Sequence, residues 1–226
     1  MSEELNFKGW DGFFDQIRFT LYRTAHIQAK YIEEINSRAK LLESPRLLEI
    51  AAGSGYTSAI VADLLWETNP LVTVSDVSED LMGRVAQTHI GAVPGIEPVV
   101  ASAYQLPFPD GAFDISYHQG FFEHFQDEEV RALVREQARV SRYCIADIPN
   151  GRRWNKTQEF GNERFLPHKD WVDLIKSAGV NVVYDTGRRF TNKWKTLVPV
   201  ALHETNWFHR NFGESSIIIF SAVESK

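Results

Sequence analysis

The chain has 226 residues, 43% of them hydrophobic, with 14 Gly, 9 Pro and a formal net charge of −6. That length suits one large domain or two small ones, and the apolar share excludes a disordered chain, which lacks side chains to bury. With no Gly-x-y period, a collagenous or low-complexity chain is excluded as well.

Cys144 is the only cysteine, so neither an intramolecular disulfide nor a thiolate zinc cluster can form, and no metal site is expected. The start Met-Ser-Glu-Glu-Leu lacks the cationic and apolar regions of a secretory signal, and no apolar run approaches about 18 residues. A cytoplasmic protein with no membrane partner is the expectation. Residues 1–150 carry 12 basic and 22 acidic side chains, whereas residues 151–226 carry 12 basic and 8 acidic. The net negative charge argues against nucleic acid as a partner, because binding a polyanion needs clustered Lys and Arg that displace its counterions.

From Phe13 to Ser44 there is neither Gly nor Pro, and apolar residues recur at Phe14, Ile17, Leu21, Ala25, Ile32, Ile35, Ala39 and Leu42. Spacings of three and four predict amphipathic helix, in one piece or two. Pro45 blocks continuation and biases Ser44 toward an extended conformation. Arg46–Ala51 then reads as a strand buried on both faces, and Tyr56–Trp66 as a helix. Leu71–Ser75 is a second strand, ending at Asp76, and Ser78 is placed to cap a helix running toward His89. Ile96–Ala101, Phe113–His118 and Arg142–Asp147 are further strands, with a helix over Asp127–Val140. Pro167–Ala178 reads as a helix closed by Gly179, followed by strands at Val180–Tyr184 and Ser215–Val223. Strands alternating with helices imply βαβ units with right-handed crossovers, a doubly wound α/β sheet. Thr186–Glu214 is too long for a simple turn and is expected to be a functional insertion.

Between the first strand and its helix stands Glu49-Ile-Ala51-Ala-Gly53-Ser-Gly55. Small residues there let the backbone approach a ligand, and the N–H groups of the following helix point at it. Asp76 lies 21 residues beyond Gly55, where a carboxylate at a strand's carboxyl end can accept both ribose hydroxyls. The dinucleotide fingerprint fails, since Tyr56, Thr57 and Ser58 follow without a third Gly, and no Tyr-x-x-x-Lys pair is evident, so a nicotinamide oxidoreductase is disfavoured.

The pattern resembles motif I of the class I S-adenosylmethionine-dependent methyltransferases, acidic-x-Gly-x-Gly-x-Gly, with Ala51 in place of the first Gly. The resemblance continues through Ala101-Ser-Ala-Tyr-Gln-Leu-Pro-Phe-Pro-Asp110 to Phe113-Asp-Ile and Glu123-His124-Phe125, and is similar to the small-molecule branch with a Leu-Pro-Phe-Pro-Asp loop. It covers about residues 46–185. It implies a Rossmann-like sheet of seven strands with the last antiparallel, and S-adenosyl-L-methionine as cofactor. On that resemblance Glu49 orients the loop, Ala51 and Gly53 lie against the methionine, Gly55 belongs to the same cofactor-binding loop, and Asp76 holds the ribose. Val77 packs on adenine and Ser102 and Ala103 meet its edge, Ser102 standing where the family commonly has Asp. His118 and Gln119 face the sulfonium and the acceptor.

The sulfonium is already an activated electrophile, so catalysis is mostly alignment and exclusion of water. A base is needed only for a neutral hydroxyl or a cationic amine, and His118 is the first candidate and His124 the second. A packing role competes for both.

Acceptor recognition is expected from outside the shared core. Trp10 and Tyr22 belong to an aromatic-rich first segment, and Arg188 and Arg189 to an Arg- and Trp-rich insertion suited to an aromatic or anionic acceptor. The expected organisation is one methyltransferase domain over 1–226: a helical cover at 1–44, a cofactor-binding core at 45–185, an insertion at 186–214 as candidate acceptor lid, and a final strand at 215–226. The expected activity is methyl transfer to an O, N or C atom of a small molecule, by a monomer or homodimer. A peptide or protein acceptor and a non-catalytic cofactor-binding module are the alternatives.

Overall fold

The structure is a computed structural model that describes residues 28–88, 90–151, 162–187 and 215–223. By its internal contacts the chain divides after Gln105 into two units.

In the first unit the order is α1 (Ala29–Ala39), β1 (Arg46–Ile50), α2 (Tyr56–Leu64), β2 (Leu71–Asp76), α3 (Glu79–Gln87) and β3 (Ile96–Val100). Helix α1 buries Tyr31, Ile32, Ile35 and Ala39, one face of a 3.6-residue repeat. β1 pairs in parallel with β2, setting Glu49 opposite Val74, and β2 pairs in parallel with β3, setting Asp76 opposite Val100. Ser78 caps α3 as predicted, its hydroxyl accepting the Leu81 N–H at 3.2 Å, with Glu79 and Asp80 in the first turn where the helix dipole favours acids.

The second unit holds β4 (Phe113–Gln119), α4 (Asp127–Val140), β5 (Ser141–Pro149), α5 (His168–Lys176), β6 (Val180–Gly187) and β7 (Ser215–Ala222). β5 pairs in parallel with β4 and antiparallel with β7, and β7 pairs antiparallel with β6. Cys144, Ile145, Ala146 and Ile148 of β5 and Ile217–Phe220 of β7 are wholly buried, as strands covered on both faces must be. Gly179, at φ 86°, ends the turn after α5 as expected. The strand order is β3-β2-β1 in the first unit and β4-β5-β7-β6 in the second, seven strands of the doubly wound class that the alternation of elements predicts.

Several boundaries differ. Helix α1 stops at Ala39, and Ser44 is not extended but left-handed at φ 50°, its N–H donating to the Thr68 carbonyl at 3.0 Å. Helix α2 stops at Leu64, short of the predicted end at Trp66, and a 3-10 turn over Trp66–Thr68 leaves Trp66 71% exposed. β5 and β6 outrun their predicted spans because β7 supplies partners: Pro149 pairs with Ser215, Thr186 with Ile217 and Gly187 with Ser216. Thr186 and Gly187, assigned above to the insertion, therefore belong to a strand. The predicted helix before residue 28 and the insertion over 188–214 lie outside the described residues.

Candidate functional site

The loop after β1 turns through three left-handed residues, Ala51, Gly53 and Gly55, at φ 52°, 54° and 70°. The Ala52 N–H donates to the Ser75 carbonyl and the Gly55 N–H to the Ala52 carbonyl, each at 3.0 Å, which closes the turn and fastens it to β2. Ala51 carries a Cβ in a region where that atom crowds the backbone, at a cost of about 1–2 kcal/mol. Gly55 has a packing reason for lacking one: a Cβ there would come 3.2 Å from Ile90 Cγ2 and 3.4 Å from Val74 Cγ1. The absent side chain lets α2 start hard against apolar neighbours.

Glu49 is buried, and its Oε2 accepts the Ser58 N–H at 3.1 Å and the Ser58 hydroxyl at 2.5 Å. Ser58 is the third residue of α2, so this carboxyl satisfies one of the N–H groups that a helix start leaves open. Burial pushes the Glu49 carboxyl up to about 7; the Ser58 hydrogen bonds oppose that rise and the nearby Asp76 charge adds to it.

Asp76 does more than end β2. Its Oδ2 accepts the Gly53 N–H and its Oδ1 the Ser78 N–H, both at 3.0 Å, so one carboxylate ties the glycine loop to the start of α3. A carboxylate oxygen can accept more than one hydrogen bond, the chemistry that a diol calls for. At this carboxyl end of β2 and β3, Val77, Val100 and Tyr104 are 44%, 46% and 45% exposed. Ser102 is exposed and Ala103 half-buried, and the Ser102 hydroxyl accepts the Tyr104 N–H at 3.4 Å. A flat apolar ring with polar edges fits such a surface, so the residues present fit a purine nucleoside.

In the second unit His118 is wholly buried, its ring 4.1 Å from the Phe122 ring and 5.5 Å from that of Phe121. Neither ring nitrogen has a hydrogen-bond partner, and burial pushes the imidazole down to about 3. The ring is neutral at working pH and a weak base, which fits a hydrogen-bonding contact better than proton abstraction. His124 is half-buried with Nδ1 2.9 Å from Asn162 Oδ1, and burial lowers its pKa against the opposing pull of Asn162 and Glu163. Gln119, last in β4, donates from Nε2 to Asp147 Oδ2 at 2.6 Å.

Two arrangements were not read from the sequence. Arg139 near the end of α4 donates to the carbonyls of Leu106 and Phe108 at 3.1 and 2.8 Å, and to Asp110 Oδ1 at 2.8 Å, bracing the whole Leu-Pro-Phe-Pro-Asp loop. Glu136 completes it by accepting the Leu106 N–H at 2.7 Å; the Glu136-Arg139 spacing of three was the available signal. Arg164 donates to the Phe125 carbonyl and to Asp127, both at 2.5 Å, and lies over the Trp171 ring. Trp10, Tyr22, Arg188 and Arg189 lie outside the described residues.

Residues 47–143 match the family model described as "Methyltransferase domain". That stretch, under half of the chain's 226 residues, is similar to a methyltransferase domain. Among curated relatives, the ubiquinone/menaquinone biosynthesis C-methyltransferase UbiE of Escherichia coli O1:K1 is 39% identical over 70 residues, which is 30% of this chain. The chain spans only 28% of the length of that relative. Among solved structures, a SAM-dependent methyltransferase from Aquifex aeolicus superposes with TM-score 0.61 at 13% identity, covering 90% of this chain and 98% of its own. The magnesium protoporphyrin IX methyltransferase ChlM from Synechocystis, solved with bound SAM, superposes with TM-score 0.60 at 15% identity, covering 97% of this chain and 92% of that one. The cofactor of this domain class is S-adenosyl-L-methionine, and the glycine turn and Asp76 sit within the matched stretch.

Proposed function

We propose that the chain transfers a methyl group from S-adenosyl-L-methionine to a small-molecule acceptor, as a single methyltransferase domain in the cytoplasm and as a monomer or homodimer. The observation that carries this reading is the Asp76 carboxylate, which holds the Gly53 and Ser78 N–H groups at the end of β2 inside a stretch matching the methyltransferase family. Asp76 takes the ribose hydroxyls, Val77 the adenine face, Ser102 and Ala103 its edge, and Ala51 and Gly53 the methionine moiety. Glu49 keeps the loop in register with α2, and Gly55 supports the site by close packing.

When bound, the cofactor supplies an electrophilic methyl on a sulfonium. The chain's own residues supply alignment. His118 contributes as a neutral ring that hydrogen-bonds without taking a proton, and Gln119 contributes its carboxamide at the cofactor's charged end. His124 is the base for an acceptor that needs one. Trp10 and Tyr22 cover a flat acceptor, and Arg188 and Arg189 bind an anionic group on it. The acceptor atom is oxygen, nitrogen or carbon; the stretch shared with UbiE, named as a C-methyltransferase, favours carbon. The small-molecule reading is supported by the Leu106–Asp110 loop with its Arg139 brace and by the net charge of −6, which disfavours nucleic acid.

The test is calorimetric titration of the chain with S-adenosylhomocysteine, followed by an assay for its release from S-adenosylmethionine with panels of quinols, phenols, amines, peptides and RNA. Binding with turnover on a small molecule is the expected result. No heat from either compound overturns the reading, turnover only on peptide or RNA moves the acceptor class, and binding without turnover leaves a cofactor-binding module.

A further inference from the structure

The carboxyl that anchors the glycine turn also reaches the start of α1, through one hydroxyl. Gln28 stands at the N-cap of α1, where its carbonyl accepts the Ile32 N–H at 2.9 Å. Its side chain makes no capping bond to its own helix; Oε1 instead accepts the hydroxyl of Thr57, in the first turn of α2, at 2.7 Å. Thr57 also hydrogen-bonds the Glu49 carboxyl, whose Oε2 accepts the Ser58 N–H and hydroxyl. All four side chains are buried, so a bond lost among them is poorly replaced by solvent.

A hydroxyl has one proton to give. Thr57 stands between two oxygens that can take it, and the state of Glu49 decides which. Protonated, the carboxyl can itself donate to Thr57 Oγ1, and the hydroxyl proton goes to Gln28. Ionised, the carboxylate only accepts, and because a hydrogen bond to a charged acceptor is about twice as strong as one between neutral groups, the hydroxyl turns to Glu49. The bond to Gln28 is then lost. We propose that Thr57 is a latch read by one proton: with Glu49 protonated it ties the start of α1 to α2, and with Glu49 ionised it gives up that tie for the carboxylate and loosens the first turn of α1. Asp76 on β2 is the charge that faces Glu49. On α1, Lys30, Glu33, Glu34 and Arg38 pair with one another, and the one carboxylate of α2, Asp63, is exposed. Burial pushes Glu49 up to about 7 against the pull of its Ser58 and Thr57 bonds, so the tie is complete at low pH and is lost as pH rises through that value. The latch goes beyond the cofactor reading and needs no ligand.

The experiment is hydrogen exchange on the full chain at about pH 5.5 and about pH 8, read as protection factors so that the intrinsic pH dependence of exchange is removed. Amides at the start of α1, Ile32 first among them, are compared with Leu81 and Met82 at the start of α3, which Ser78 holds. In the parent the ratio of α1 to α3 protection falls about fivefold between the two conditions, the net worth of one hydrogen bond. Glu49→Gln, whose amide donates to Thr57 at every pH, keeps the ratio at its acid value. Thr57→Val, without the hydroxyl, holds the lower value throughout, and Thr57→Ser restores the parent's step. A merely structural Thr57 lowers protection when replaced but leaves the pH step in place. A parent ratio that ignores pH, or a step that persists in Glu49→Gln or Thr57→Val, overturns the proposal. If Thr57→Val does not fold, Gln28→Met decides, because it removes the oxygen that competes with Glu49 and must abolish the step.

Discussion

Glu49→Gln tests how the glycine loop is anchored. The Glu49 carboxyl stands at about 7 in the folded chain against 4.5 for an ordinary glutamate, with burial as the chief cause. Between those two values the folded state keeps a proton that the unfolded chain has released, so stability falls as pH rises. The contribution is complete below pH 4.5 and is lost as pH passes through about 7. A gap of about 2.5, at about 1.4 kcal/mol for each pH unit, is worth about 3 kcal/mol. Glutamine keeps an oxygen to accept from Ser58 and cannot titrate. Urea unfolding of parent and variant between pH 4.5 and 8 measures the difference directly, since every other titrating group is common to both. The parent should lose about 3 kcal/mol relative to Glu49→Gln across that window. A difference that stays flat with pH would refute the claim that this carboxyl is buried against its charged form.

Ala51→Gly should raise stability: release of about 1–2 kcal/mol of left-handed strain exceeds the added chain entropy of about 0.4–1 kcal/mol, for a gain centred on about 1 kcal/mol and a Tm increase of about 2–4 °C. Gly55→Ala should do the reverse, because it adds strain at φ 70° together with a 3.2 Å contact to Ile90, and thermal unfolding checks both. Arg139→Gln should cost about 2 kcal/mol in urea unfolding, the value of charge-assisted hydrogen bonds discounted for a side chain one-third exposed, and should expose the 106–110 loop to protease. Cys144, its thiol pushed up to about 12 by burial, should resist Ellman's reagent at pH 8 until the chain is unfolded.

Most strands were legible as short apolar runs with Gly, Pro or Asp at one end or the other, and α3 because Ser78 sits where a capping hydroxyl must. What was not legible came from partners far away in the chain. Nothing local in Ile148-Pro149 or Thr186-Gly187 says strand; β7 recruits them by offering Ser215, Ser216 and Ile217 across the ladder. The site divides in the same way. Glu49 and Asp76 were readable as carboxylates at strand positions near a glycine turn, yet their hydrogen bonds to Ser58, Gly53 and Ser78 depend on the fold. His118 looked like a base because of its place after an apolar strand, and only the packing of Phe121 and Phe122 shows why its nitrogens stay uncharged.

The double duty of Asp76 decides how its role must be tested. Asp76→Ala removes a candidate ribose contact and also frees the Gly53 and Ser78 N–H groups, so lost binding would follow from either cause. Changing the ligand as well separates them. S-adenosylhomocysteine and its 2′-deoxy analogue differ by one hydroxyl, and a hydrogen bond from that hydroxyl to a carboxylate is worth about 1.5–3 kcal/mol. The parent should therefore favour the hydroxylated ligand by about tenfold or more, since each 1.4 kcal/mol is about tenfold. In Asp76→Ala both ligands should bind weakly and about equally, because the carboxylate that told them apart is gone and the loop damage falls on both. The coupling across this cycle isolates the direct contact from the loosened loop. If the variant keeps the parent's full preference, Asp76 holds the loop alone and the ribose is bound elsewhere.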